Sequence, residues 1–204
     1  MTTSNKPRII GVAGRDRSGK DTVADLLMSA GYFGFSFGDA VREEARKRHA
    51  GDPNPISVAN LTETSNWLRS QHGPAVILDQ ALSAYQKAID SGKQYPGLVL
   101  YSVRAPVEAD YILEKGGDLV WVEADDRVRL ERRKTAHREG EAKLTIDDML
   151  AQEALQTKPQ PGIPTEVQMN LDYIKSKATI VIENNSNDMS AFEQAVRQAL
   201  GLAS

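Results

Sequence analysis

Short apolar runs alternate along most of the chain with stretches in which apolar residues recur at helical spacing. Each run has the length of one buried strand, and each longer stretch has the periodicity of an amphipathic helix. The predicted strands are residues 8–13, 32–37, 98–102, 119–122 and 180–183, and the predicted helices are residues 22–30, 39–49, 61–71, 74–90, 106–115 and 190–200. Strands that alternate with helices form right-handed crossovers in a parallel sheet. The pattern therefore predicts an α/β fold of three layers around a five-stranded parallel sheet.

Residues 125–177 interrupt this alternation. They are rich in charge and have no strand signal, and Lys-Pro-Gln-Pro-Gly at residues 158–162 is typical of a bend. Thr145, with acidic residues at 147 and 148, is typical of a helix start. We expect a helical insertion over the edge of the sheet. Since no repeat or linker divides the 204 residues, the chain (1–204) is expected to form a single domain.

Composition excludes several kinds of chemistry. The sequence has no cysteine, so disulfides, thiolate metal sites and a cysteine nucleophile are all excluded. The formal net charge of -3 argues against a general nucleic-acid-binding surface. No stretch approaches the roughly 18 apolar residues that cross a bilayer, and residues 1–7 lack a long apolar run. We therefore expect a cytoplasmic protein with neither nucleic-acid nor membrane partners.

One motif carries the strongest functional signal. Residues 14–20 fit G-x-x-x-x-G-K and lie between the first predicted strand and the first predicted helix. Glycines let such a loop curl so that its N–H groups point inward, and the helix N-terminus adds partial positive charge where a β-phosphate would lie. Lys20 would bridge the β- and γ-phosphates, and the other predicted nucleotide-binding residues of the loop are Gly14, Asp16, Ser18 and Gly19. The alternative is a glycine-rich turn that binds nothing.

The residue after this lysine departs from the usual motif. A serine or threonine normally follows and binds Mg²⁺ through its hydroxyl, whereas here Asp21 follows and Thr22 comes next. A carboxylate beside a triphosphate repels it unless the carboxylate faces the metal or its waters. We expect Asp21 to act through Mg²⁺, with Thr22 assisting. Which of the two contacts the ion stays open.

Through these residues the chain resembles the nucleoside monophosphate kinase group of P-loop kinases, over most of its length. S-G-K-D-T at residues 18–22 is similar to phage-type deoxynucleoside monophosphate kinases, and the S-G-K-D core also occurs in animal phosphomevalonate kinases. Dephospho-coenzyme A kinases belong to the same group. The resemblance implies a P-loop fold with a helical lid, ATP and Mg²⁺ as cofactors, and a small phosphorylated acceptor.

A second motif concerns the acceptor. G-D-x-x-R at residues 38–42 resembles the adenylate kinase pattern whose arginine holds the acceptor's phosphate, which implies that Arg42 is the acceptor clamp. Asp39 lies three residues earlier, on the same face of the predicted helix. Its resemblance to an aspartate of dephospho-coenzyme A kinases implies that it orients or deprotonates the acceptor, and its position also suits a helix N-cap. Residues 39–92 are the predicted acceptor-binding region.

Two further arginines match patterns of uncharacterised relatives in this group. They are Arg69, in a stretch that resembles L-R-x-x-x-G-P, and Arg104, where Val-Arg-Ala-Pro resembles I-R-x-P. Arg104 directly follows a central strand, where loops line the ligand crevice of an open α/β sheet; for Arg69 a solvated helix face is the alternative. The aspartate that often ends the third strand is missing at Ser102, and Asp16 or Asp39 is expected to replace it.

A basic segment follows the fourth strand, where this group carries its lid. Within residues 127–138, Arg132 and Arg138 match the spacing of the group best and are expected to reach phosphate, because a planar guanidinium bridges two phosphates. Most of the other basic residues there are expected to face solvent. Residues 125–177 are thus the predicted lid and its associated helices. Asn184 and Asn185 follow the last strand, which borders the adenine in this group, or are ordinary turn residues.

These features predict a Mg²⁺- and ATP-dependent phosphotransferase. A nucleoside or deoxynucleoside monophosphate is the leading acceptor, dephospho-coenzyme A is the near alternative, and phosphomevalonate is a third. A nucleotide-binding module without catalysis is the alternative from a different class, because of Asp21 and the missing strand-end aspartate. A switch GTPase would carry N-K-x-D, which is absent from the sequence.

Overall fold

The computed structural model describes residues 7–135 and 145–202. One sheet runs through it, formed by β1 (Arg8–Gly14), β2 (Phe33–Ser36), β3 (Gly97–Tyr101), β4 (Asp118–Glu123) and β5 (Ile180–Glu183). The strands lie in the order β2-β3-β1-β4-β5, and every neighbouring pair is parallel. The prediction of an α/β fold with a five-stranded parallel sheet is confirmed.

Helices fill the connections between the strands. In the described residues they are α1 (Lys20–Ser29), α2 (Phe37–Arg48), α3 (Val58–His72), α4 (Val76–Asp90), α5 (Pro106–Glu114), α6 (Asp126–Thr135), α7 (Ile146–Thr157), α8 (Leu171–Lys177) and α9 (Met189–Leu200). Both α2 and α3 begin earlier than predicted because a serine caps each one. The Ser36 hydroxyl accepts from the Asp39 amide at 3.1 Å, and the Ser57 hydroxyl accepts from the Asn60 amide at 3.2 Å. No helix in these parts of the chain is long and apolar enough to cross a membrane.

Two apolar clusters cover the two faces of the sheet. Successive residues of β4 point to opposite faces, so Leu119 and Trp121 pack with residues of α5 and α8, while Val120 and Val122 pack with residues of α1 and α9. All four side chains are at most 1% exposed. A central strand that is buried on both faces needs a nearly continuous apolar sequence, as β1 and β4 have. The three predicted layers are therefore helix, sheet and helix.

The segment predicted to lie over the edge of the sheet does so only in part. It is helical where it is described, and α7 begins at the expected place, with the Thr145 hydroxyl accepting from the Asp148 amide at 3.2 Å. However, α8 lies on a face of the sheet, where Leu171 and Ile174 are buried in the same cluster as Trp121. The predicted edge position is wrong for α8, because these two apolar residues at helical spacing complete the core.

The carboxyl ends of β1 and β3 lie side by side in the middle of the sheet. Val12 of β1 is paired with Tyr101 of β3. The loops that follow the two strands therefore leave the sheet at the same edge. The chain passes from β1 to β2 and β3 on one side of the sheet and to β4 and β5 on the other. Ligands of open α/β sheets bind outside the strand ends at such a reversal of strand order.

Candidate active site

The loop between β1 and α1 turns back sharply on itself. Arg17 and Gly19 have left-handed backbones, with φ of 61° and 106°. This conformation costs a non-glycine residue roughly 1–2 kcal/mol. A side chain at Gly19 would collide with Asn184 and crowd the ring of Phe192. The surrounding structure therefore holds the loop in a shape that its own local preferences disfavour.

Three carbonyl oxygens of this loop face away from its hollow, because side chains outside the loop donate hydrogen bonds to them. The pairs are Asp16 with Arg129 Nη1 at 3.0 Å, Arg17 with Arg132 Nη1 at 3.3 Å, and Ser18 with Asn184 Nδ2 at 2.8 Å. The described peptide bonds are all trans. Since C=O and N–H point in opposite directions across a trans peptide, the N–H groups of Arg17 and Gly19 point to the other side. The loop thus directs backbone amides towards its hollow.

Two polar side chains of the loop are buried. Lys20 begins α1 and is 3% exposed, and its Nζ lies 3.5 Å from Asp21 Oδ1. Ser18 is completely buried, and its hydroxyl has no hydrogen-bond partner among the residues described. An ammonium group and a hydroxyl in the same loop as inward-pointing amides suit the oxygens of a polyphosphate.

A cleft beside the loop is acidic. Three aspartates line it, Asp21, Asp25 and Asp39, together with two arginines, Arg42 and Arg46, and with Ser36, Ile56 and Tyr101. Burial, and then the charge of Asp21, raises the pKa of Asp25. Burial and the nearby carboxylates likewise raise the pKa of Tyr101. Over the described ranges no three acidic or imidazole groups are grouped so as to hold a metal by themselves. A magnesium ion here would therefore take further ligands from a nucleotide or from water.

Asp39 and Arg42 form an ion pair at the mouth of the crevice. Asp39 does not cap α2, so that alternative is wrong; Ser36 is the cap, and Asp39 lies in the first turn. Arg42 Nη1 donates to Asp39 Oδ1 at 2.6 Å, while 66% of the Asp39 side chain stays exposed. A Cβ at Gly38 would come within 3.3 Å of that same Nη1. The glycine thus allows the guanidinium to lie close to the backbone.

The three arginines predicted to bind the acceptor line one cavity. Arg42 comes from α2, Arg69 from α3, and Arg104 from the loop after β3. The polar lining is completed by Ser65, Ser102 and Gln156, and the apolar lining consists of Phe37, Val41, Leu61, Ile77 and Met169. Positive charge from three separate elements of the fold, set in a partly apolar wall, suits an anionic ligand with an apolar body.

Arg69 is buried, so its interpretation as part of a solvated helix face is wrong. It is 2% exposed, and its Nη2 donates to Glu108 Oε1 at 2.7 Å. Glu108 Oε2 accepts from the backbone N–H groups of Arg104 and Ala105, both at 2.9 Å. The pair therefore holds the loop after β3 in place. The sequence analysis missed Glu108, although a glutamate in the first turn of a helix that begins at Pro106 is typical of a capping acceptor.

Arg104 has a neutral partner instead of an acidic one. Its Nη1 donates to Gln156 Oε1 of α7, and it forms no ion pair with a carboxylate of residues 7–135 or 145–202. Burial is the main cause that lowers the pKa of Arg104; Asp16 opposes this shift, and the positive charge of Arg42 adds to it. Arg104 is thus a half-buried cation whose charge no neighbouring anion balances directly.

Ser102 lies where the strand-end aspartate was expected and has a strained backbone. Its φ is 61°, and it is 5% exposed. Of the two residues expected to replace that aspartate, Asp16 lies 3.4 Å from an Nη of Arg133, outside the acidic cleft. Asp39 lines the same cleft as Asp21. The geometry therefore favours Asp39 over Asp16 as the replacement.

Arginines of α6 contact the loop between β1 and α1, through its backbone carbonyls and through Asp16. Arg129 is fully buried and pairs with Glu153 Oε2 at 3.0 Å and Asp126 Oδ1 at 2.6 Å. Arg133 is 8% exposed and lies against Asp16. The expectation that most basic residues of this segment face solvent is wrong for Arg129 and Arg133. A charged helix sequence alone does not show that acidic partners lie elsewhere in the fold.

Of the two arginines expected to reach phosphate, Arg132 lies within the described residues. Arg132 donates to the backbone carbonyls of Arg17, Asn184 and Ser186, at 3.3, 2.9 and 2.6 Å. It therefore lies beside the phosphate loop, bonded to backbone. Arg138 lies outside the described residues.

Asn184 and Asn185 join β5 to the elements around the loop. Asn184 is 8% exposed; its Nδ2 donates to the Ser18 carbonyl, and its Oδ1 accepts from Arg132 at 3.1 Å. Asn185 Oδ1 accepts from the amide of Asp125, just before α6, at 2.7 Å. The alternative of ordinary turn residues is wrong, because both side chains bond to distant parts of the chain.

Similar solved structures place this arrangement among known folds. TT1252 from Thermus thermophilus has a TM-score of 0.54 and 25% identity, over 97% of this chain and 98% of that one. Shikimate kinase from Bacteroides thetaiotaomicron has a TM-score of 0.50 and 12% identity, over 96% and 97%. The chain therefore shares its fold with this shikimate kinase.

Comparison of sequences leads to a particular family. A UPF0200 protein of Hyperthermus butylicus is 33% identical over 135 residues, which are 65% of this chain and 67% of the relative. A UPF0200 protein of Pyrobaculum aerophilum is 26% identical over 196 residues, 94% and 96% of the two chains. No protein-family model matches the chain. The chain belongs to the UPF0200 family.

Proposed function

We propose that this protein is an ATP- and Mg²⁺-dependent kinase of a small phosphorylated acceptor, with a nucleoside or deoxynucleoside monophosphate as the leading acceptor. One observation carries the proposal. The carbonyls of Asp16 and Ser18 are bonded to side chains outside the loop, so the amides of Arg17 and Gly19 point to the other side, next to the N-terminus of α1. Inward amides at a helix N-terminus bind phosphate.

The residues present fit ATP and Mg²⁺. The loop amides and the buried Lys20 would hold the β- and γ-phosphates, and the unpartnered Ser18 hydroxyl offers a further donor. The oxygens of Asp21 and Thr22, at the start of α1, would face the metal or its waters. When bound, ATP supplies the phosphoryl group, and Mg²⁺ neutralises part of its charge.

The acceptor side is supported by the positive charge that lines the cavity. Arg42 and Arg104 would hold the acceptor's existing phosphate, since both line the cavity at the carboxyl ends of the strands. Asp39, exposed and hydrogen-bonded to Arg42, would orient the acceptor and take a proton from it where one is present. The apolar wall would receive the rest of the acceptor. Phosphoryl transfer depends mostly on such positioning and on charge stabilisation.

An acceptor panel tests the proposal. Purified protein with MgATP is offered nucleoside and deoxynucleoside monophosphates, dephospho-coenzyme A and phosphomevalonate, and ADP formation is measured with and without each. We expect ADP only when a monophosphate is added, and the Lys20→Ala variant should be at least about a hundredfold slower while it keeps its fold. Turnover on dephospho-coenzyme A alone would instead assign that kinase activity. ATP binding without turnover on any acceptor would favour the nucleotide-binding module.

A further inference from the structure

Gln156 stands out among the residues around the acceptor cavity. It lies near the end of α7, is 8% exposed, and its side-chain oxygen accepts a hydrogen bond from Arg104 Nη1. Each of the other two arginines of the cavity is bonded to a carboxylate, Arg42 to Asp39 and Arg69 to Glu108. Arg104 alone of the three is held by a neutral amide.

The different partners have different consequences for an incoming anion. A carboxylate partner competes strongly with a ligand for a guanidinium, because an ion pair adds Coulomb attraction between two full charges to the hydrogen bond. The amide of Gln156 competes less strongly. At Arg104, therefore, a full negative charge gains by replacing the protein partner. A neutral hydroxyl would exchange one hydrogen bond from the cation to a neutral acceptor for another of the same kind and gain little.

The surroundings of Arg104 increase this preference. Glu108 binds the backbone N–H of Arg104 and not its guanidinium. The side chain is half-buried; the charges of Asp16, Asp21 and Glu108 favour its ionised form without bonding to the guanidinium, and the positive charge of Arg42 disfavours it. A cation so placed costs free energy until an anion balances it. The cavity is thus most complementary to a ligand that brings its own charge.

We infer that Gln156 is a specificity-determining residue of the acceptor cavity. Its neutral amide occupies Arg104 when no acceptor is present and is displaced only by an anionic acceptor group, such as a phosphate. This rests on the proposed function in that the cavity is taken as the acceptor site. It deepens that function by assigning the selection of phosphorylated over unphosphorylated acceptors to one residue of α7.

Gln156→Glu and Gln156→Ala have opposite expected effects, which separates selection from a merely structural role. Glutamate would pair with Arg104 and compete with the ligand, so anion affinity should fall at least about tenfold. Alanine would remove the competitor, so affinity should rise, by about tenfold if a hydrogen bond to a charged group of about 1.5 kcal/mol is removed. The matched control is Gln194→Glu, an exposed residue of α9 that makes the same change in net charge.

Inorganic phosphate is the probe, titrated calorimetrically into each variant with Mg²⁺ and a non-hydrolysable ATP analogue present to fill the donor loop. Thermal unfolding of every variant checks that it folds. Weaker phosphate binding in Gln156→Glu, stronger phosphate binding in Gln156→Ala and unchanged binding in the control Gln194→Glu support the inference. Equal losses with both Gln156 variants, or no change with either, overturn it. Binding of the ATP analogue is measured separately, so its failure would count against the proposed function and not against the role of Gln156.

Discussion

The side-chain amide of Asn184, at the end of the last strand, donates to the carbonyl oxygen of Ser18 in the phosphate loop at a distance of 2.8 Å. The two residues are separated by 166 positions in the chain. The bond is buried, and it turns the peptide between Ser18 and Gly19 so that the amide of Gly19 points into the hollow. The geometry of the loop therefore depends on a residue that no local motif contains.

Replacement of Asn184 should weaken the binding of ATP, although this residue lies 166 positions from Ser18 in the chain. In Asn184→Ala the Ser18 carbonyl loses its partner, and the free energy of unfolding should fall by about 1–3 kcal/mol. Because the loop then holds its shape less well, the affinity for an ATP analogue should fall roughly tenfold, measured by calorimetry. The neighbouring variant Asn185→Ala loses a hydrogen bond to Asp125 but none to the loop. Equal affinities in the two variants would contradict this account.

Asp25 gives a prediction about pH. Asp25 is an exposed residue, but partial desolvation of its carboxyl, and then the charge of Asp21, raise its pKa in the folded state, so the folded protein binds this proton more tightly than the unfolded chain does. Ionised Asp25 therefore destabilises the fold above its folded pKa, and this loss is recovered as the pH falls towards the unfolded value of about 3.9. Asp25→Asn should raise the melting temperature at pH 7, with a gain that shrinks as the pH falls to about 4. If the gain in melting temperature instead grows as the pH falls, the pKa of Asp25 is lowered in the folded state and not raised.

The pair between Arg129 and Glu153 gives a prediction about stability. Glu153→Gln would leave the fully buried Arg129 with Asp126 as its one carboxylate partner in the described residues, besides its hydrogen bond to the Asp16 carbonyl, so the free energy of unfolding should fall by about 3 kcal/mol. For a chain of this size that lowers the melting temperature by about 10 °C. Glu131→Gln is the matched control, because its pair with Lys134 is exposed on both sides and should contribute under about 0.5 kcal/mol. Similar melting temperatures for the two variants would contradict the assignment.

Much of the architecture followed from local pattern. The parallel sheet was predicted because each strand is a short apolar run, and the phosphate loop because G-x-x-x-x-G-K follows the first of them. The element ends that were missed, at Phe37 and Val58, depended on serine caps just before them. The caps shift these two boundaries by two and three residues without changing the apolar periodicity on which the prediction was based.

The partners within the site could not be predicted in the same way. Arg42, Arg69 and Arg104 were singled out one by one, and the structure brings them to one cavity. Their different partners were not foreseen, since Arg69 and Glu108 are separated by 39 positions, and Arg104 and Gln156 by 52. Which carboxylate or amide meets a given arginine depends on how α3, α5 and α7 pack, and no spacing rule carries that information.

Arg42 should act on the acceptor and not on the donor. It lines the cavity together with Arg69 and Arg104, and its Nη1 donates to Asp39 of its own helix. A hydrogen bond to a charged group contributes about 1.5–3 kcal/mol, so Arg42→Ala should raise the KM for the acceptor about 10- to 100-fold.

The dissociation constant of an ATP analogue should stay unchanged in this variant. The control is Arg48→Ala on the same helix, where the guanidinium stacks on Trp67 and pairs with Glu63 outside the cavity. Its acceptor KM should match that of the unaltered protein. Steady-state kinetics with the acceptor found by the panel, and calorimetry with the analogue, measure the two quantities. The assignment would be wrong if Arg42→Ala weakened binding of the ATP analogue and left the acceptor KM unchanged. A residue that binds the acceptor's phosphate cannot be lost without a change in that KM.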